Sequence, residues 1–192
     1  KLHISFNNFK LRHICVFSIL KLMKSNKNLI LIGMMGSGKS TIGRLLAQKL
    51  NLRFFDIDFL IENKTNMKIA EIFEKKGEDE FRNLEKEITL KFLNKTNCVI
   101  SLGGGAFINE IIKKKVKKKG IAIWLNWNDE TLINRMRKNK KRPIALNLDD
   151  NELKDLINSR SKIYSKANYK INCENMNKTE IVKKMTQIYE HI

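Results

Sequence analysis

The sequence predicts an α/β fold in which a parallel sheet is covered by helices on both faces, and three observations predict it. Apolar, β-rich runs at 29–32, 98–102 and 121–125 are too continuous for strands with one wet face. Between them lie stretches with apolar residues at helical spacing, so strands and helices alternate as a parallel sheet requires. The first run also passes through a glycine-rich turn directly into a helical pattern. At 192 residues, 42% of them hydrophobic, the chain makes one domain with a real core.

Taken in order, residues 1–22 carry Lys1, Lys10, Arg12 and Lys21, no acidic residue and an apolar stretch at 14–20. That composition suits a targeting peptide. Met23 stands just before the first strand, where an ordinary start would, which makes the segment an upstream artefact instead. Both readings stay open, and the folded domain is expected over 23–192. Leu29, Ile30, Leu31 and Ile32 form the first strand. Gly33, Gly38, Lys39 and Ser40 then satisfy G-x-x-x-x-G-K-[ST], and a helix is expected from Thr41 to about Asn51, with Ile42, Leu45, Leu46 and Leu50 on its inner side. Residues 53–58 read as a short strand ending in Asp56 and Asp58, two carboxylates on one side of the alternation.

Helical segments at 59–63, 69–73 and 81–92, broken at 64–68 and at Gly77, form an inserted helical layer. The strand at 98–102 runs into Gly103, Gly104 and Gly105, which implies close backbone approach. A helix at 109–119, a buried strand at 121–125 and a helix at 129–136 with Asp129 as N-cap follow. From 137 to 147 the pattern fails. This basic stretch holds Arg142 and the chain's only proline, and its length suits an active-site lid. A helix at 149–164, a strand at 169–172 and a helix at 178–192 complete the chain, with no repeat and no second domain.

The chemistry centres on the first turn. Successive backbone N–H groups must point inward around a polyphosphate, where side chains would obstruct them, and the helix that follows presents its positive end. Gly33, Gly36 and Gly38 leave that room, Lys39 can reach the β- and γ-phosphates, and the Ser40 hydroxyl can ligate Mg²⁺. Histidine chemistry is excluded, since His3, His13 and His191 lie at the extremities. Cys15, Cys98 and Cys173 form no C-x-x-C, which argues for a reducing compartment and against structural zinc. The formal charge of +18 is mostly lysine scattered along the chain. Its densest run, 113–119, lies near a helix end where cations suit the macrodipole. A nucleic-acid binder would need clustered basic and aromatic side chains, and none is seen.

Five blocks in order carry a family resemblance: Gly-Met-Met-Gly-Ser-Gly-Lys-Ser at 33–40, Phe-Asp-Ile-Asp at 55–58, Gly-Glu-Asp-Glu-Phe-Arg-Asn-Leu-Glu at 77–85, Gly-Gly-Gly-Ala at 103–106, and Arg-Pro-Ile at 142–144 with Arg-Ser-Lys-Ile-Tyr at 160–164. From Met23 onward the chain resembles the shikimate kinases. The resemblance implies a three-layer α/β/α P-loop kinase of the nucleoside-monophosphate-kinase kind, with a five-stranded parallel sheet of order 2-3-1-4-5, an acceptor-binding helical segment and a lid. It implies transfer of the γ-phosphate of MgATP to the 3-hydroxyl of shikimate, in aromatic amino acid biosynthesis.

By that likeness Lys39, Asp58 and Arg142 are catalytic. Gly36, Ser37, Gly38, Lys39, Ser40 and Thr41 hold the nucleotide, with Arg135 against adenine and Arg142 at the transferring phosphoryl. Asp58, Arg82, Gly104, Gly105 and Arg160 bind the acceptor, the two arginines gripping its carboxylate. Ser40 and, through water, Asp56 serve Mg²⁺. The expected partners are ATP and shikimate, with no nucleic acid or membrane. The chain is expected to be a cytoplasmic monomer, or imported into an organelle if the leader is genuine.

The residues allow plainer readings. Asp56 and Asp58 could cap the next helix; Arg82 and Glu85, one turn apart, could be a surface pair; the three glycines could be only a tight turn; Arg160 and Tyr164, at i and i+4, could stack structurally. On the functional reading, Glu85 fixes one edge of Arg82 and leaves the other for a carboxylate. Trp124 and Trp127 read as core and strand-end residues without function. One departure from the family pattern concerns adenine: members often carry an arginine near the last strand, and residues 171–175 contain none. The competing readings are another small-metabolite kinase, such as a gluconate or nucleoside-monophosphate kinase, and a catalytically silent nucleotide-binding module.

Overall fold

The structure is a computed structural model that describes residues 27–138 and 148–191. The described residues form five strands and seven α-helices: β1 (Asn28–Ile32), α1 (Lys39–Leu50), β2 (Arg53–Asp56), α2 (Ile57–Thr65), α3 (Ile69–Leu93), β3 (Cys98–Ser101), α4 (Glu110–Lys119), β4 (Gly120–Asn126), α5 (Asp129–Lys138), α6 (Asp150–Tyr164), β5 (Tyr169–Asn172) and α7 (Lys178–Glu190). The strands pair in parallel in the order β2-β3-β1-β4-β5, as expected. Ile30 of the central strand lies level with Ile100 of β3 and Ala122 of β4.

Period-two alternation distributes the strands between two cores. Ile30, Ile32, Ile100, Ala122 and Trp124 face one core, shared with α2 to α6. Leu29, Leu31, Val99, Ile123 and Leu125 face the other, which α1 and α7 cover through Ile42, Leu46, Ile181 and Met185. Both faces of β1 are therefore dry, which is why its sequence does not alternate.

Several boundaries differ from the sequence reading. The second strand stops at Asp56, and Asp58 stands in the first turn of α2 rather than on the strand. The Asp56 carboxylate accepts the Phe59 N–H at 3.4 Å, and this cap starts a helix whose Ile57 and Ile61 are fully buried one turn apart. Helix α1 begins at Lys39, two residues early, so the loop's lysine and serine form its first turn. Asn128, not Asp129, caps α5, accepting the Thr131 N–H at 2.8 Å. Arg137 belongs to α5 and reaches Asp150 at 2.8 Å; the rest of the expected lid, 139–147 with Arg142, lies outside the described residues, as does the leader. The break expected at Gly77 is present as φ 82°, ψ 172° inside α3, a conformation only glycine adopts readily.

Candidate active site

The carboxyl ends of β1, β2, β3 and β4 converge on one edge of the sheet, where open α/β folds bind ligands. The loop between β1 and α1 is tightly enclosed. Gly33 has φ +143°, and a Cβ there would lie 2.9 Å from the Leu125 carbonyl oxygen. Lys39 is 7% exposed, and its Nζ donates to the carbonyls of Gly33 at 2.8 Å and Met34 at 2.9 Å. The ammonium is thus held across the loop, while Ser40 and Thr41 open to solvent at the helix start.

Beside the loop is a cavity of about 740 Å³. Gly36, Ser37, Gly38 and Thr41 line one side, Trp127 and Arg135 another, and the turn from Met176 to Thr179 the third. Arg135, expected from the resemblance to meet adenine, lines this cavity with its guanidinium carbon 3.8 Å from the centre of the Trp127 ring. The Trp127 indole N–H donates to the Ser37 carbonyl at 3.0 Å. Sequence reasoning gave Trp127 no function; its position immediately after a strand's carboxyl end was the available signal.

A second, small cavity of about 40 Å³ brings together Asp58, Arg82, Glu85, Gly104, Gly105 and Arg160, walled by Phe73 and Phe81. Five of these six were expected acceptor ligands, and Glu85 was their expected brace. A side chain at Gly103 would run into Glu85 Oε1 and lie 2.8 Å from Asp58 Oδ1, and one at Gly105 would run into the Arg82 guanidinium. The glycines therefore make room for the site's own charged groups. They are more than a tight turn.

Arg82 pairs with Glu85 at 2.8 Å as expected, but the edge left open in the sequence reading is taken. Glu78, one turn earlier on α3, accepts from Arg82 Nη2 at 2.8 Å and Nε at 3.1 Å. The i−4 spacing of Glu78 carries the sequence signal for this second pair. Burial opposes the Arg82 charge, yet the two glutamates outweigh it and hold Arg82 above its ordinary value. Burial pushes the Glu85 carboxyl up, against the pull of Arg82. Glu85 Oε1 is buried without a partner among the described residues.

Arg160 is 5% exposed, with Nη1 3.7 Å from the Met34 sulfur and its Nε without a partner among the described residues. Burial lowers its pKa from the ordinary value. The Tyr164 hydroxyl donates to the Gly104 carbonyl, and burial pushes that phenol up to about 12, so it stays a donor. Tyr164 therefore braces the glycine loop rather than merely stacking on Arg160.

One buried arginine, Arg160, and one half-buried arginine, Arg82, stand against a carboxyl-lined cavity beside the glycine-rich loop, and this pairing narrows the family. The family model described as shikimate kinase matches residues 35–190. The chain belongs to the shikimate kinase family. A shikimate kinase from Persephonella marina is 43% identical over 156 residues, 81% of this chain and 94% of that one. Shikimate kinase from Acinetobacter baumannii, solved in complex with shikimate, superposes with a TM-score of 0.82 at 32% identity, covering 88% of this chain and 96% of that one. A gluconokinase from Sinorhizobium meliloti, at 16% identity and a TM-score of 0.58, covering 86% of this chain and 95% of that one, shares the fold alone.

Proposed function

We propose that this member of the shikimate kinase family transfers the γ-phosphoryl group of ATP to the 3-hydroxyl of shikimate. The observation that carries the reading is the small cavity in which Asp58, Arg82 and Arg160 converge beside the phosphate loop. A loose phosphoryl-transfer transition state asks chiefly for positioning and for positive charge around the equatorial oxygens. Lys39 supplies that charge from the loop, joined by Arg142 of the segment outside the described residues. Asp58 orients the acceptor hydroxyl and takes its proton, a contribution of about 10²–10⁴-fold in rate. Arg82 and Arg160 hold the acceptor carboxylate, with Glu78 giving way at the Arg82 edge, and the backbone of Gly104 and Gly105 lies against the ring.

The residues also fit Mg²⁺. Among the described residues no three His, Cys, Asp or Glu side chains cluster as a metal cage. Ser40 at the start of α1 and Asp56 at the end of β2 are instead isolated hard oxygen donors, which suits an ion that keeps waters and phosphate ligands. When bound, Mg²⁺ neutralises charge on the β- and γ-phosphates. Ser40 would bind it directly and Asp56 through water.

The test is ADP release with a panel of acceptors: shikimate, gluconate and a nucleoside monophosphate. Turnover with shikimate alone is expected, and turnover with gluconate but not shikimate would reassign the acceptor. The same assay on a chain beginning at Met23 tests whether 23–192 is the catalytic unit, with unchanged kcat expected. Among the described residues no helix is long and apolar enough to cross a membrane. We read the enzyme as a cytoplasmic monomer, which light scattering checks for the oligomeric part.

A further inference from the structure

The nucleotide cavity poses a specific question. The chain has no arginine near β5 to close over a base, yet the cavity beside the loop is large enough for one. Five contacts answer it. The Trp127 indole is tied to the loop by its N–H, 3.0 Å from the Ser37 carbonyl. Its ring face carries the Arg135 guanidinium, 3.8 Å above the centroid, and Arg135 Nη1 reaches the Gly36 carbonyl at 3.4 Å. Across the cavity, the turn that leads into α7 is braced to the start of α5 by Glu174, which accepts from the Asn128 N–H at 3.3 Å and the Thr131 hydroxyl at 3.2 Å.

We propose that Trp127 is the positioning residue of the nucleotide-base subsite: it holds the Arg135 guanidinium flat beside the phosphate loop, so that the face turned away from the indole receives the base. The inference rests on the ATP-dependent reading above and adds a residue to it. A guanidinium is planar and weakly hydrated, and stacks on π-systems through its faces. With one face covered by Trp127, stacking is left to the other, and the base enters between Arg135 and the turn carrying Met176 and Asn177. The long Arg135 side chain would otherwise sample many rotamers, and ordering it before ATP arrives removes that cost from binding.

The experiment compares ADP with inorganic tripolyphosphate as ATP-competitive inhibitors, because only ADP carries a base. In Trp127→Leu, ADP should weaken by roughly threefold to thirtyfold, the range of a single cation–π contact. Tripolyphosphate and the KM for shikimate should hardly move, and the loss should sit in the KM for ATP rather than in kcat. Trp127→Phe, which keeps a ring face, should recover most of the ADP affinity. An equal loss for ADP and tripolyphosphate would make Trp127 a prop of the phosphate loop and overturn the proposal. So would a Phe variant as poor as Leu, or no loss at all. If Trp127→Leu does not fold, Arg135→Met leaves the indole and its bond in place and should show the same base-selective loss; its absence overturns the proposal equally. A wild-type protein that binds no ADP would instead refute the ATP reading itself.

Discussion

The two halves of the site are built on opposite principles. On the side of the glycine-rich loop the lining is largely backbone, the cavity is wide at about 740 Å³, and the buried Lys39 ammonium is held by carbonyls of its own loop. On the side of Arg82 and Arg160 the cavity is about 40 Å³ and is ringed by titratable side chains already paired or packed: Glu78 to Arg82, Arg82 to Glu85, Arg160 against Gly104. A polyphosphate brings enough charge to organise flexible donors around itself. A small hydroxy-acid brings a single carboxylate, so the protein must order its charges in advance, and desolvated charges are stable only when paired.

The largest effect that separates the halves is expected at Lys39. Lys39→Met keeps the volume but removes the loop's cation, and kcat should fall by about 10²–10³-fold or more, the scale of losing one transition-state donor. Because two loop carbonyls also lose a donor, the variant should unfold about 1–3 kcal/mol more easily. Near-normal turnover would show that the loop backbone alone carries the phosphoryl group. Arg82 comes next. Removing one charge-assisted hydrogen bond to a carboxylate should raise the KM for shikimate by roughly tenfold to a hundredfold in Arg82→Ala. The KM for ATP should stay put. Arg82→Lys should rescue poorly, because an ammonium cannot hold Glu85 on one edge and a ligand carboxylate on the other with a planar fork. A parallel rise in both KM values would mean that the halves are coupled through α3 and are not separately built.

The same division explains what could be read from the sequence. The phosphate loop was legible because its chemistry is contiguous: strand, glycines, lysine and helix follow one another, and β1 announces its double burial by lacking alternation. The acceptor residues were placed through separate blocks, and the structure does bring Asp58, Arg82, Arg160 and the glycines together. What escaped depends on packing across long separations or on a local contest. Trp127 meets Ser37 across 90 residues, and no spacing rule encodes that contact. The end of β2 was decided by the Asp56 cap against strand propensity. Arg82 has an acidic residue one turn away on each side, Glu78 and Glu85, and only packing decides that it holds both. Arg142 stays an expectation from the sequence, since 139–147 lies outside the described residues.

The smallest effect, and the finest test of the difference, is the pH dependence of stability. Glu85 is 2% exposed, and burial raises its pKa above the ordinary 4.5, with Asp58 adding to the rise and Arg82 and Arg160 opposing it. The native state therefore holds this proton more tightly than the unfolded chain does. Between the unfolded and folded values the folded protein binds more protons, so this carboxyl makes unfolding easier as pH rises. The penalty is absent below about the ordinary value and complete once the pH exceeds the raised one. Glu85→Gln removes the titration while keeping the shape. The variant loses the ion pair to Arg82, so its absolute stability can lie on either side of wild type; the slope is what discriminates. Urea unfolding from pH 4 upward should show the difference between variant and wild type moving in the variant's favour as pH rises through that window, then levelling. The exposed Glu110, which Lys113 holds below its ordinary value, titrates in both proteins and cancels. Parallel stability curves for the two proteins would mean that the pull of Arg82 and Arg160 on the Glu85 carboxylate fully offsets its burial, and that Glu85 is a balanced ion pair rather than a carboxyl whose charge the folded protein disfavours.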